Sequence, residues 1–81
     1  MIITRAIDPT GPEPPYRQIA ADIRAAIESG ELRPGQRIPT ESELVEAYEV
    51  ARSTVRRTVR LLREEGLITT VPQRGSYVAG R

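Results

Sequence analysis

The stretch Ala51-Arg52-Ser53-Thr54-Val55-Arg56-Arg57-Thr58-Val59-Arg60-Leu61-Leu62-Arg63-Glu64-Glu65-Gly66 limits what this chain can fold into more than any other. Plotted at about 100° per residue, Val55, Thr58, Val59 and Leu62 fall on one side, and Arg52, Ser53, Arg56, Arg57, Arg60 and Arg63 gather on another. A helix here has one side to bury and another covered in guanidiniums. Such a face suits a negatively charged groove, because Arg pairs bidentately with phosphates and with the O6 and N7 acceptors of guanine. An ordinary amphipathic helix with a solvated basic face carries the same pattern. The choice between them has to come from the surrounding chain.

At 81 residues there is material for a single small core. The chain has no Cys and no His, which removes a disulfide framework, the usual zinc sites and His-dependent catalysis. All its basic side chains are Arg, so Ser-Lys chemistry is absent too. Glu41, Glu43, Glu46 and Glu49 lack a partner nucleophile or metal cage and read as capping groups and a solvated face. Neither a catalytic residue nor a cofactor is expected. No apolar run approaches the roughly 18 residues that span a bilayer, and no leader pattern opens the chain, so a cytoplasmic protein is the expectation. The net charge of +1 hides a segregation: residues 1–50 carry five Arg against nine acids, net −4, and residues 51–81 carry seven Arg against two acids, net +5. A localised basic surface attracts a polyanion over about one Debye length, roughly 8–10 Å.

Met1 to Ile7, rich in β-branched residues, reads as a short strand or extended arm. Asp8 to Pro15 is too dense in Pro and Gly for helix or central strand and reads as an extended lead-in. From Tyr16 to Ser29, Ile19, Ala20, Ile23, Ala26 and Ile27 recur at helical spacing, with Gly30 as terminator. Leu32 to Pro39 is a turn-rich connector in which Pro34-Gly35 fits the centre of a type II turn. Thr40-Glu41-Ser42-Glu43 is a capping box, predicting a short helix over about 41–48 with Leu44, Ala47 and Tyr48 on its apolar side. Glu49-Val50-Ala51 then leaves a tight turn into the basic helix, expected over about 52–65. Two helices so joined, the second basic, match a helix-turn-helix, with a plain αα-hairpin as the bland alternative. Leu67 to Val71 and Ser76 to Val78 are β-prone and flank a four-residue tip, Pro72-Gln73-Arg74-Gly75, which predicts a hairpin. The expected fold is α+β: three helices and a C-terminal β-hairpin wing, with residues 1–15 as arm and lead-in and 16–81 as the domain.

At this point the chain resembles the winged helix-turn-helix domain of GntR-family bacterial transcription regulators. The matching blocks are Pro15-Tyr16-Arg17-Gln18-Ile19-Ala20, then Gly30-Glu31-Leu32-Arg33-Pro34-Gly35 running to Ile38-Pro39-Thr40-Glu41, then Leu44. They continue through Val50, Arg52, Thr54-Val55-Arg56, Val59, Leu62 and Glu65-Gly66-Leu67-Ile68 to Arg74-Gly75-Ser76-Tyr77-Val78. The lead-in also resembles that of the short-tailed members. The resemblance implies a sequence-specific regulator, with repression the expected sign, that binds a palindromic double-stranded operator as a homodimer. Its matched DNA-contact positions are Arg52 and Arg56 for bases or bases and phosphates together, Thr40, Ser53 and Thr54 for phosphates, Ser42 for one hydrogen bond to the DNA backbone, and Gln73, Arg74 and Gly75 at the wing. Arg57 and Arg60 are expected as peripheral phosphate contacts. The family's sensing or dimerising domain lies C-terminal to the winged helix, so no effector pocket is expected within these residues. Whether they are a piece of a longer regulator or a stand-alone domain stays open.

The chain also departs from the family pattern. Members often carry Arg where Ser42 stands, Gly at Glu49 and a hydroxyl residue at Ala51, where it caps the recognition helix. Basic or Gly-rich residues are common where Val71-Pro72-Gln73 stands. A changed operator or weaker affinity is the expected consequence. The competing reading is a winged helix used as a protein-interaction module, for which Leu61 and Tyr77 are the candidate exposed anchors.

Overall fold

A computed structural model describes residues 7–80. The order is α1 (Pro15–Ser29), α2 (Glu41–Tyr48), α3 (Arg52–Glu64), β1 (Ile68–Val71) and β2 (Gly75–Val78). The fold class, the three helices and the hairpin are as the sequence predicts. The strand or arm expected at the N-terminus falls on residues 1–6, outside the described part, while the adjoining Ile7 packs half-buried against the core.

The boundaries of α1 and α2 have local causes. Pro15 occupies the first position of α1, where no amide bond is lost, and Gly30 ends the helix in the left-handed region at φ 89°. The capping box at α2 is formed both ways: the Glu43 amide donates to Thr40 Oγ1 at 3.1 Å, and the Thr40 amide donates to Glu43 Oε1 at 2.8 Å. Helix α2 ends at Glu49, also left-handed, at φ 56°. A side chain with a Cβ costs about 1–2 kcal/mol there. Ala51 precedes α3 without a side-chain cap.

The core is aliphatic, with Tyr48 its one aromatic member. Ile19, Ala20 and Ile23 of α1, Leu44 of α2, and Val55 and Leu62 of α3 close around Leu32, Ile38, Ile68 and Val78. Thr58 on the same stripe is fully buried, its hydroxyl shared between the carbonyls of Tyr16 at 3.0 Å and Thr54 at 3.1 Å. A polar group there is tolerated because it is bonded, and it ties α3 to α1. Three placements differ from the sequence reading. Ala47 is exposed, and half-buried Val45 packs against the core in α2. Leu61 and Tyr77 are half-buried, Leu61 packing against the core, while the exposed large apolar side chain among the described residues is Val71, at 37%. Val59 is half-buried at the edge of the core.

The wing is antiparallel, pairing Ile68 with Val78 and Val71 with Gly75. Its tip is therefore three residues long, since Gly75 already belongs to β2. Pro72 followed by Gln73 at φ 65°, closed by the Arg74 amide on the Val71 carbonyl at 3.0 Å, has the type II pattern. The connector is more than a turn. After the type II turn at Pro34-Gly35, the chain lies along the free edge of β2: the Val78 amide donates to Gln36 O at 2.8 Å and the Ile38 amide to Ser76 O at 2.9 Å. Arg37 thereby bridges to Tyr77, making the connector a rudimentary third strand with β2 in the middle.

A candidate nucleic-acid interface

Two side-chain ties fix α3 and its flanks from below. Arg24 of α1 forks onto Glu65 just past the end of α3, Nη2 lying 2.9 Å from both carboxylate oxygens. The Tyr48 hydroxyl donates to Asp22 Oδ2 at 3.0 Å, holding α2 against α1. With one face of α3 closed by Val55, Thr58 and Leu62, its arginines are left outward.

Those arginines are not equivalent. Glu41, in the first turn of α2, accepts from Arg52 Nη1 at 2.9 Å and from Arg56 Nε at 3.2 Å, one carboxylate oxygen for each. Arg52 also reaches Ser42 Oγ from Nη2 at 3.4 Å, so both its terminal nitrogens are occupied. Arg56 is held only at Nε, which leaves its terminal fork free on a side chain 64% exposed. The hydrogen bond from Arg52 and the two positive charges hold the Glu41 carboxyl below its ordinary value. The sequence reading assigned Glu41 to a solvated, capping face; instead it organises the two arginines picked as base readers. Its spacing of eleven and fifteen residues from them carries no periodic signal, and the tight turn between the helices is what brings them together.

The other sequence-predicted residues divide by place. Thr40 is committed to the capping box through its acceptor, and Ser42 is the exposed partner of Arg52. Ser53 is exposed and Thr54 half-buried at the start of α3. Arg57 stands apart from the Glu41 cluster: its guanidinium lies 4.1 Å from the centre of the Tyr16 ring, close enough for a cation–π contact. Gln73 and Arg74 are exposed at the wing tip. Gly75 is half-buried with φ 120°, and the stem of Arg37 crosses it so closely that a Cβ there would stand 3.2 Å from Arg37 Cδ. Arg37 is not singled out by the sequence, and Arg63, expected there only as part of the basic face, donates to Thr70 Oγ1 at 3.0 Å. Thr70 Oγ1 in turn lies 3.0 Å from Ser76 Oγ, so this chain of contacts braces the hairpin against α3. Among the described residues no cluster of acids is placed to hold a metal ion, and no helix is long and apolar enough to cross a membrane.

A short helix, a tight turn, a second helix with an outward arginine face and a hairpin beside it define a winged helix-turn-helix. The chain belongs to the GntR family: the family of bacterial regulatory proteins of that name matches residues 15–78. It is 46% identical over 68 residues to the mannosyl-D-glycerate transport/metabolism system repressor MngR of Escherichia coli K12, covering 84% of this chain and 28% of that protein. To the HTH-type transcriptional repressor NagR of Bacillus subtilis 168 it is 36% identical over 73 residues, 90% of this chain and 30% of the relative. The chain thus spans less than a third of the length of these relatives. Among solved structures, AraR(DBD) in complex with operator ORX1 superposes with a TM-score of 0.87 at 34% identity, covering 93% of this chain and 95% of that one. YtrA from Sulfolobus acidocaldarius, a GntR-family transcription factor, also gives 0.87, at 35% identity over 98% of this chain and 82% of its own.

Proposed function

We propose that this domain is the sequence-specific DNA-binding part of a transcription regulator that acts as a repressor in the cytoplasm. It would read a double-stranded operator half-site with α3 in the major groove and the wing alongside. The observation that carries this is the Glu41 cluster: Arg56, held at Nε with both terminal nitrogens free, has the fork that guanine O6 and N7 accept. The names of the relatives support repression, and the operator complex of AraR(DBD) supports duplex DNA as the partner.

In this reading Arg56 is the principal base contact and Arg52, pinned to Glu41 and Ser42, the second. Thr40, Ser42, Ser53, Thr54 and Arg57 position the phosphates, and Gln73 and Arg74 reach the adjacent minor groove. Gly75 contributes room and backbone geometry rather than a side-chain contact. Residues 16–81 act as the DNA-binding unit and 1–15 as its arm and lead-in. A palindromic operator would be bound by two copies as a homodimer, each on a half-site about one helical turn from the other. No enzymatic step belongs to this reading.

Selection of bound duplexes from a random pool, followed by titration of the winner and a scrambled duplex, tests it. A consensus bound at least about a hundredfold more tightly than the scrambled duplex is expected. With Arg56→Ala most of that ratio should vanish while binding to scrambled DNA changes little. Equal losses on both duplexes would remove Arg56 from the base readers. Failure to recover any consensus would favour the protein-interaction reading.

A further inference from the structure

Between the second half of α3 and the hairpin runs an open groove of about 430 Å³. Val59, Val71 and Pro72 give it an apolar lining, and Arg37, Arg56, Arg60 and Arg63 bring four positive charges to it. Its one acid, Glu41, is already bonded to Arg52 and Arg56. Arg63 is spent on Thr70 as a brace. Arg37 and Arg60 are exposed and have no hydrogen-bond or ion-pair partner among the described residues. Nearby Glu43 is bonded to the amide of Thr40 and makes no ion pair with Arg37, although the Arg37 charge adds to the lowering of its carboxyl value. Arg37 is nevertheless well placed, because its backbone pairs with Tyr77 and its stem lies across Gly75.

We propose that this groove seats one sugar–phosphate strand of the duplex, with Arg37 from the connector and Arg60 from α3 holding phosphates from its two sides. The inference rests on the DNA-binding reading and extends it to residues outside the predicted contact set or at its periphery. Two features favour a nucleic-acid strand over a compact anion. The groove is open and continuous with the reading face through Arg56 and with the wing tip through Gln73. A duplex offering one groove to α3 and the next to the wing tip must pass a strand between them. An apolar lining with a cationic rim also matches deoxyribose faces edged by phosphates.

The test uses Arg37→Ala, Arg60→Ala and the double variant of the whole chain, titrated by fluorescence anisotropy on the selected and scrambled duplexes from 50 to 200 mM salt. Arg33→Ala, on the same connector and outside the groove, serves as control, and thermal melts check folding. Each groove variant should weaken both duplexes by the same factor and lower the salt slope by about 0.9, so that its deficit shrinks about 3.5-fold across that range. A double variant matching the wild type in affinity and slope would overturn the assignment while leaving Arg56 as reader. Loss confined to the selected duplex would overturn it as well, because phosphates carry no sequence. A wild-type chain that binds neither duplex would instead defeat the DNA-binding reading itself.

Discussion

Replacing Glu41 by Gln keeps the side chain's size and removes the charge that holds two arginines in place. The ion pairs are exposed, with side chains 37% accessible for Glu41, 46% for Arg52 and 64% for Arg56. Exposed pairs contribute about 0.2–1 kcal/mol each and solvent screening favours the lower end, so the fold should lose no more than about 1 kcal/mol. DNA binding should change more. The cluster's net charge rises from +1, two arginines and one acid, to +2. Affinity for random DNA should therefore rise and its salt slope steepen by up to about 0.9. At the same time the amide offers one acceptor oxygen in place of two, so Arg52 and Arg56 can no longer both be held and the Arg56 fork is less firmly aimed. A bidentate guanine contact gives about 1–3 kcal/mol of discrimination, and forfeiting half of it would cut the operator-to-random ratio by about two- to twelvefold. Anisotropy titrations on both duplexes read the ratio directly. A ratio within about twofold of wild type, with random DNA bound no more tightly, would refute the idea that Glu41 governs the arginines.

Three further outcomes are expected of the fold. Glu49→Gly should stabilise the domain by about 1 kcal/mol, by relieving the left-handed backbone at φ 56°, which raises the melting temperature of a domain this size by about 4–8 °C; a lower value would contradict the strain. Thr58→Val removes the shared hydroxyl contact to Tyr16 and Thr54 and should cost about 1 kcal/mol in urea unfolding, where no change would mean that the contact does not couple α1 to α3. Asp8, Glu41 and Glu43 all have lowered carboxyl values in the fold, held down chiefly by the Thr10 hydroxyl, Arg52 and the Thr40 amide respectively. Groups of this sign stabilise the fold fully above their unfolded values, 3.8 for Asp and 4.5 for Glu, and lose that contribution as pH falls through the lowered folded values. Denaturant midpoints should accordingly be flat above about pH 5 and drop below it; a drop setting in near pH 6–7 would point to other groups.

The elements and their order were legible from the sequence because each is signalled within a few residues. The apolar stripe of α3, the Thr40 to Glu43 capping box, the Gly30 terminator and the Pro34-Gly35 turn all act through local backbone sterics and periodicity. The outward face of α3 was legible for the same reason: a buried stripe at Val55, Thr58 and Leu62 leaves Arg52, Arg56 and Arg60 no other side. What the tertiary structure alone decided is how those arginines differ. Glu41 meets Arg52 and Arg56, Tyr16 lies under Arg57, Arg63 braces Thr70, and Arg37 joins the wing by pairing with β2. The contacts of Arg57 with Tyr16 and of Arg37 with Tyr77 join elements about forty residues apart, and those of Glu41 depend on the angle at which the turn sets α2 against α3, so none follows from local spacing. A helical wheel gives every arginine on one face the same standing. Packing ties some to carboxylates, hydroxyls and a ring, and leaves the Arg56 fork and the heads of Arg37 and Arg60 open.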